Sequence, residues 1–339
     1  MIIRKSVVVG LIAVTLLLSG CSKASTEAST DFFAMDTYMS LSATGAEAEV
    51  ALTTCRTFIS ELEYMISRTE EASEIYALNH SGGEVVVVSD MTYDIISIAV
   101  ACAQATDGAF DPTICAITDL WGIGSDTAAI PSESAITQAL ETVSYENILL
   151  LEDNGVQLLN GAQIDLGAVG KGYAADVLYS IYEEYEIESG IIALGGNLYL
   201  VGKKEKDTPW SVGIIDPDYS EEYSIGVQVI DRSVVTTGAY ERYFEEDGQL
   251  YHHIFDTNTG YPTQEDIKSV TIVSASSTLA DIYATALFTM GYEDAISFVE
   301  SQTDIAAIII REDDTVYVSD DLCNGVSLDE KYTFVTSSE

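Results

Sequence analysis

The chain has 339 residues, 47% of them hydrophobic, and its 14 Lys and Arg face 55 Asp and Glu, a formal net charge of −41. This length allows one large or two modest domains with a buried core, and the hydrophobic content excludes a disordered chain. So strong a negative charge argues against binding to nucleic acid or to an anionic membrane surface.

The N-terminus predicts a lipoprotein signal. Basic residues precede an apolar run at 6–18 that is too short for an ordinary membrane-spanning helix. The LSGC run at 18–21 resembles a bacterial lipobox, which makes 1–20 a signal peptide and Cys21 the lipidated first residue of the mature chain. We therefore expect a lipid anchor in the cell membrane, on its extracytoplasmic face. The alternative is an ordinary secretory signal with a chance cysteine.

The polar residues 21–30 predict a tether, and 31–339 the folded domain. In its first half, hydrophobic periodicity predicts helices at Glu47–Ile66, Ser73–His80, Thr92–Thr106 and Ser132–Thr142, and strands at Phe32–Ser40, Glu84–Val88, Ile148–Leu151 and Val156–Leu159. The second half predicts helices at Tyr173–Tyr185, Thr278–Met290 and Tyr292–Gln302. Strands are predicted there at Gly190–Leu194, Leu198–Gly202, Trp210–Ile215, Tyr223–Ile230, Ser233–Thr237, Tyr251–Phe255, Ser269–Val273, Ile305–Ile310 and Val316–Val318. This order indicates an α+β fold with substantial antiparallel sheet.

The other four cysteines form no C-x-x-C pair, which argues against a zinc or redox site. They are Cys55, Cys102, Cys115 and Cys323. A disulfide among them is compatible with an extracytoplasmic protein, but the sequence does not pair them.

The stretch Ile164–Asp176 predicts a short buried strand, a glycine-rich turn and the start of a helix. Its three glycines allow the backbone to approach a ligand closely, and free N–H groups at a helix start suit a phosphate. Lys171 adds a positive charge there. The alternative is a packing turn with a solvated lysine. The glycine spacing and the lack of Ser or Thr after Lys171 exclude a Walker loop.

Asp281 and Thr285 stand four residues apart on a predicted helix and therefore share one face. A carboxylate and a hydroxyl form a hard oxygen pair that suits Mg²⁺ or Ca²⁺ better than zinc. The alternative is an Asp that complements the helix dipole and a Thr bonded to its own backbone.

Two of the three histidines are adjacent, at His252 and His253. On a strand they point to opposite faces, which argues against a paired-histidine metal site and allows one of them to be a general base. The alternative for either is a structural histidine. The run Asp256–Gly260 predicts a turn.

Seven ordered motifs make the chain resemble the ApbE family from about Phe33 to about Phe298. They are Met35–Thr37, Phe110–Thr113, Ile164–Asp176, Leu194–Asn197, Thr236–Arg242, His253–Asp256 with Thr259–Gly260, and Ala280–Asp281 with Thr285. The resemblance implies a T-fold-like arrangement of antiparallel sheets and flanking helices around a central FAD cleft. It also implies a transferase that moves FMN from FAD to a threonine of another protein and releases AMP.

The resemblance assigns contacts with FAD to Met35, Ala109, Phe110, Asp111, Asp165, Lys171 and Ile254. It implies Mg²⁺ bound by Asp281, Thr285 and the Ala168 carbonyl, with His253 at the position of our candidate base. The acceptor it implies is an extracytoplasmic redox protein or a membrane reductase subunit. The chain departs from the family pattern at four positions, where Gly, an aromatic residue, Pro and a basic residue are usual: Asp36, Thr69, Thr257 and Asn258.

Two other functions fit the same residues. An FAD pyrophosphatase would use water in place of the protein hydroxyl and would need the same metal and phosphate groups. A non-catalytic flavin-binding lipoprotein would need neither metal nor base, so the presence of Asp281, Thr285 and His253 argues against it. The chain holds only imperfect matches to the family's acceptor motif, at 275–278 and 27–30, so we expect the acceptor to be a separate protein.

Overall fold

A computed structural model of the chain describes residues 25–205, 207–219, 222–264 and 266–336. Its helices are α1 (Ala48–Ile66), α2 (Glu74–Asn79), α3 (Asp90–Ala105), α4 (Cys115–Trp121), α5 (Glu133–Leu140), α6 (Gly170–Glu184), α7 (Ser277–Met290) and α8 (Tyr292–Ser301). Its strands are β1 (Thr26–Ala34), β2 (Thr37–Gly45), β3 (Val86–Val87), β4 (Ile148–Leu150), β5 (Gly155–Leu158), β6 (Ser189–Leu194), β7 (Asn197–Gly202), β8 (Trp210–Ile215), β9 (Tyr223–Val229), β10 (Arg232–Gly238), β11 (Tyr243–Glu246), β12 (Gln249–His252), β13 (Ile267–Ser274), β14 (Ile305–Arg311), β15 (Thr315–Val318), β16 (Val326–Leu328) and β17 (Thr333–Val335).

A nine-stranded sheet forms the centre of the fold, in the order β1-β2-β6-β7-β10-β13-β14-β15-β17. Neighbouring strands are antiparallel except β15 and β17. Helices α1, α6 and α7 bury their apolar stripes on one face, where Ile59, Leu178 and Leu287 meet Leu41 and Ile272 of the sheet. The predicted α+β class with antiparallel sheets and flanking helices is confirmed.

The other face of this sheet is covered by a smaller sheet in the order β16-β9-β8. Val212 and Val227 of the small sheet share one buried cluster with Val234 and Ile308 of the large one. The fold therefore has three layers, with helices on one side of the central sheet and strands on the other.

The prediction of a single strand at Phe32–Ser40 is wrong, because the chain reverses in the middle of it. Met35 and Asp36 have φ of 48° and 57° and form the two-residue turn between β1 and β2. Two left-handed residues in succession match the twist of a tight hairpin. Strand β1 also begins at Thr26, so the sheet includes five residues that were assigned to the tether.

Helix α4 and the hairpin β11–β12 were not predicted, and they build a third cluster around Trp121. The indole packs near Tyr251 and Phe255 and donates from Nε1 to the Gly260 carbonyl at 2.8 Å. The ladder of the hairpin ends at His252, so the predicted strand Tyr251–Phe255 is too long. His253 is the first residue after the hairpin, so the hairpin determines where His253 lies.

Cys55, Cys102, Cys115 and Cys323 are free thiols. No helix among the described residues is both long enough and apolar enough to cross a membrane. Cys21 and the signal peptide predicted at 1–20 lie outside the described residues.

Candidate functional site

The strand predicted at the start of Ile164–Asp176 is absent from the described structure, and side-chain contacts take its place. The Asn79 side chain donates to the Ile164 carbonyl at 2.9 Å and accepts from the Ile164 N–H at 2.7 Å. The Asp165 N–H donates to the Pro112 carbonyl at 2.8 Å. These bonds satisfy an extended segment outside any sheet and bring the motifs at 110–113 and 164–176 together.

The glycine turn leads into α6, which begins at Gly170, three residues before its predicted start. A Cβ on Gly170 would lie 2.7 Å from Ile66 Cδ1 and 3.0 Å from Met35 Cε, so the glycine permits a close approach. Met35, which the family resemblance assigns to FAD, therefore borders the turn. Lys171 is half-buried, and its Nζ donates to the Gly167 carbonyl at 3.2 Å.

Helices α6 and α7 cross at Gly172, where a Cβ would lie 2.5 Å from the Ser277 carbonyl oxygen. The Gly172 N–H donates to Asp281 Oδ2 at 2.9 Å. Asp281 is 5% exposed and lies in the second turn of α7, not at the start of the helix. The crossing thus places the Asp281 carboxylate beside the beginning of α6. Because the Gly172 N–H is bonded to this carboxylate, it does not point at the predicted phosphate site.

The N-terminus of α7 is satisfied by Asp176, a residue to which the sequence had given no role. Its carboxylate accepts from the N–H groups of Ser277 at 2.6 Å and Thr278 at 2.9 Å, and from the Ser276 and Thr278 hydroxyls. Because Asp176 complements the helix end, Asp281 is not needed there, which argues against the dipole alternative.

The oxygen donors near the crossing fit Mg²⁺ in type. The described residues contain no group of three or more His, Cys, Asp or Glu side chains that could hold a metal, so a site here would use one carboxylate plus hydroxyl and carbonyl oxygens. Asp281 Oδ2 is bonded to Gly172, and the Thr285 hydroxyl donates only a long 3.4 Å bond to the Asp281 carbonyl. Ala168 lies four residues before Gly172, in the turn itself. A hard dication accepts such donors, whereas zinc favours nitrogen and sulfur.

His253 is half-buried and has one ring nitrogen bonded within the chain. Its Nδ1 lies 3.2 Å from the Arg242 carbonyl, which can only accept, so Nδ1 carries the proton and Nε2 keeps its lone pair. Burial lowers the pKa of His253 to about 4. The bond to the Arg242 carbonyl raises this pKa, and the positive charges of Arg242, His252 and Lys171 lower it further. The ring is therefore neutral at pH 7 and can accept a proton at Nε2.

His252 differs from His253 in its burial and in the number of its ring nitrogens that are hydrogen-bonded. It is 6% exposed, its Nε2 donates to the Thr263 carbonyl at 2.9 Å, and its Nδ1 accepts from the Ile254 N–H at 3.3 Å. The ring meets Phe288 edge-on. Both nitrogens are used, so His252 is the structural histidine of the pair.

Charged groups from three segments act on one another at this site. Desolvation by the surrounding protein raises the pKa of Glu241, which Lys171 and Arg242 oppose and Asp281 reinforces. The same Lys171 charge acts on His253. Lys171 and Asp281 therefore both act on Glu241, a residue without a predicted role.

Other predicted FAD contacts have their polar groups engaged inside the protein. Asp111 is 6% exposed and accepts from Thr113 N–H and hydroxyl and from the Tyr145 N–H. Burial raises its pKa, which these bonds oppose. Phe110 is buried, and the Ala109 carbonyl accepts from Thr289. These bonds hold the loop at 109–111 to the segments at Tyr145 and Thr289.

Ile254 is also buried, with its N–H donating to His252 and its carbonyl accepting from Thr263. The predicted turn after it is present, since Gly260 has φ of 70° and its N–H donates to the Asp256 carbonyl at 2.8 Å. Within this turn, the Thr257 hydroxyl donates to the Gly108 carbonyl at 2.7 Å. This departure from the family pattern thus joins the turn to the loop at Ala109.

Arg68 is a site residue that the sequence did not reveal. It follows α1, and its Nε lies 3.3 Å from Asp165 Oδ2. Its Nη1 lies 2.6 Å from Asp119 Oδ1 and 3.4 Å from Cys115 Sγ, both on α4. Burial lowers the pKa of Arg68, but the neighbouring carboxylates outweigh it and raise the pKa above its ordinary value. Only the folded chain brings these three segments together.

A cavity of about 550 Å³ lies on the His252 side of the hairpin, lined among others by Tyr243, Lys268 and Phe288. None of the predicted FAD or metal residues lines it. The predicted metal ligand Asp281 lies instead at the α6–α7 crossing, so the size of this cavity is no guide to the candidate site.

Comparisons with known proteins identify the family of this chain. The model of the ApbE family matches residues 35–309. The FAD:protein FMN transferase of Treponema pallidum is 36% identical over 81% of this chain and 80% of that protein, and one from Klebsiella pneumoniae is 32% identical over 77% and 82%. The crystal structure of the ApbE protein of Thermotoga maritima superposes with a TM-score of 0.80 at 31% identity, covering 90% and 97% of the two chains. The chain therefore belongs to the ApbE family.

Proposed function

We propose that this chain transfers FMN from FAD to a threonine hydroxyl of a separate protein and releases AMP. Relatives that share 36% and 32% of their residues with it are named FAD:protein FMN transferase, which supports a transferase of this class. The observation that carries the proposal is the Gly172–Asp281 bond, which joins the glycine turn to the predicted metal ligand, beside Lys171, whose charge also acts on the neutral His253.

In the proposed reaction the threonine oxygen forms a bond to the phosphorus of the FMN half, and the phosphorus–oxygen bond to AMP breaks. His253 Nε2 accepts the threonine proton, while the Arg242 carbonyl holds Nδ1–H and orients the ring. Lys171 supplies positive charge beside the phosphates. Asp281, Thr285 and the Ala168 carbonyl would hold Mg²⁺, which when bound acts as a Lewis acid on the phosphoryl oxygens.

The acceptor is proposed to act in trans. The imperfect acceptor motif at 275–278 ends at Thr278, which is 4% exposed and whose hydroxyl donates to Asp176 at 2.6 Å. The other ends at Thr30, which pairs with Leu41 in the β1–β2 ladder. Both threonines are held by contacts within the fold, which supports an acceptor hydroxyl from another chain.

We also propose the location that the N-terminus predicts, with Cys21 lipidated and the domain held at the extracytoplasmic face of the cell membrane. Anchoring the enzyme and a membrane-associated acceptor at one surface would raise their effective concentration. Metabolic labelling with a fatty-acid analogue tests this part alone, since a Cys21→Ser variant should lose the label.

The test of the reaction is incubation with FAD, Mg²⁺ and an extracytoplasmic redox protein that carries the family's threonine motif, followed by mass spectrometry of every product. Transfer predicts FMN covalently attached to the acceptor threonine and one AMP per adduct. Free FMN with AMP and no adduct would establish FAD hydrolysis instead. Recovery of intact FAD would establish a binding protein.

A further inference from the structure

We infer that Arg68 is a positioning residue for the FAD site, acting through Asp165. The inference rests on the proposed function, because it assumes that Asp165 borders the bound dinucleotide. Arg68 itself is outside every motif that carries the family resemblance. It precedes Thr69, which stands where the family commonly has an aromatic residue and which is exposed here.

Arg68 links Asp165 to a separate part of the fold. Its Nε is 3.3 Å from Asp165 Oδ2, while its Nη1 is 2.6 Å from Asp119 Oδ1 on α4. The guanidinium group is planar and presents its donors in a fixed fork, so contacts with two carboxylates define its orientation. Arg68 therefore ties the end of α1, helix α4 and the start of the glycine turn to one another.

Asp165 links Arg68 to the glycine turn. Its Oδ1 accepts from the Gly167 N–H at 2.8 Å, and its own N–H donates to the Pro112 carbonyl at 2.8 Å. One carboxylate oxygen thus meets Arg68 and the other meets the turn. Loss of Arg68 would leave Asp165 free to rotate away from Gly167.

The excess of negative charge is a second reason to expect that Arg68 matters for FAD binding. The chain has 14 Lys and Arg against 55 Asp and Glu, and FAD brings two further negative charges on its pyrophosphate. Without Arg68, Asp119 and Asp165 would both be uncompensated near the dinucleotide. Arg68 is 30% exposed at its side chain, so solvent screens part of this interaction but not all of it.

The test measures the Kd for FAD by fluorescence in Arg68→Ala, Asp165→Asn and the double variant. We expect Arg68→Ala to raise the Kd about tenfold, the effect of a partly screened charged hydrogen bond. In the Asp165→Asn background the same change should have less than about a twofold effect, because contacting residues are coupled. Arg68→Lys should restore part of the affinity, since it keeps the charge and loses the fork.

Asp119→Asn is the matched control, because it removes the negative charge of the α4 partner, keeps an acceptor oxygen and leaves the Arg68–Asp165 contact in place. Its Kd should stay within about threefold of the wild type, well below the Arg68→Ala effect. Equal effects of Arg68→Ala in both backgrounds, or an unchanged Kd with only a lower melting temperature, would overturn the inference. The binding readout requires no acceptor, so hydrolysis in place of transfer would leave it unaffected. Failure of the wild-type chain to bind FAD would overturn both this inference and the proposed function.

Discussion

The α6–α7 crossing and the β11–β12 hairpin position different residues of the candidate site, and the two regions are built differently. The crossing lies against the nine-stranded sheet, with Gly172 bonded to buried Asp281 and Asp176 bonded to the start of α7. The hairpin is a two-stranded sheet of its own with exposed residues along both strands, and His253 follows its end. The proposed metal and phosphate ligands are thus part of the main core, whereas the proposed base follows a separate two-stranded hairpin. Changes in the first region should affect stability and activity together, and changes at His253 should affect activity alone.

The largest effect is expected from Asp281 at the crossing. Asp281→Ala should abolish FMN transfer and should also lower the free energy of unfolding by about 1–3 kcal/mol, because the buried Gly172 N–H loses its charged acceptor. Asp281→Asn keeps an acceptor for Gly172 and should abolish transfer at a smaller cost in stability. EDTA should reproduce the loss in the wild type, and Mg²⁺ should restore it. Full transfer by either variant in the presence of chelator would rule out the metal assignment.

His253 should give the next largest effect, without the stability cost. His253→Ala should lower the rate of transfer by about two to four orders of magnitude, the usual contribution of a general base, with a small change in FAD affinity. His252→Ala is the matched control and should behave in the reverse way, since it leaves the Thr263 carbonyl and the Ile254 N–H unpaired while keeping the base. A slower reaction in the His252 variant than in the His253 variant would show that the base is assigned to the wrong residue.

Gly172 tests how tightly the two helices must approach, and the effect should be on stability. Gly172→Ala would place a Cβ 2.5 Å from the Ser277 carbonyl oxygen and 2.8 Å from Asp281 Cβ. Overpacking of this kind costs about 1–3 kcal/mol, more than the gain in helix propensity from alanine. Ser180→Ala, at an exposed position of the same helix, should stay within about 0.5 kcal/mol in denaturant unfolding. An unchanged midpoint for Gly172→Ala would contradict the close crossing.

The sequence predicted the crossing better than the hairpin, for a physical reason. Helices α6 and α7 are long and periodic, and the i, i+4 spacing of Asp281 and Thr285 is visible within one helix. The turn at Met35 and Asp36 carries no glycine in this chain, so its periodicity gave no sign of a reversal, although the glycine usual in the family at position 36 favours a left-handed residue. Helix α4 follows Ile114 and has no side-chain cap, whereas the even shorter α2 begins after a capping Ser73 and was predicted.

Contacts between distant segments were beyond the reach of pattern alone. The Asn79 side chain replaces a strand partner for Ile164 across 85 positions, and Asp176 reaches the start of α7 across 101. Arg68 meets Asp165 in the same way. Local periodicity identifies elements, but it contains no information on which side chain from elsewhere completes them.

The division of the two adjacent histidines is tested most directly by ¹⁵N NMR of the imidazole nitrogens between pH 3 and 8, with His252→Gln and His253→Gln used for assignment. We predict opposite neutral tautomers, Nδ1–H for His253 and Nε2–H for His252. Burial lowers the pKa of His253 to about 4, so its ring should gain a proton only as the pH falls toward 4, and its basic form should persist through pH 6–8. A His253 that carries its neutral proton on Nε2 would contradict its assignment as the base, because Nε2 would then have no lone pair to accept the threonine proton.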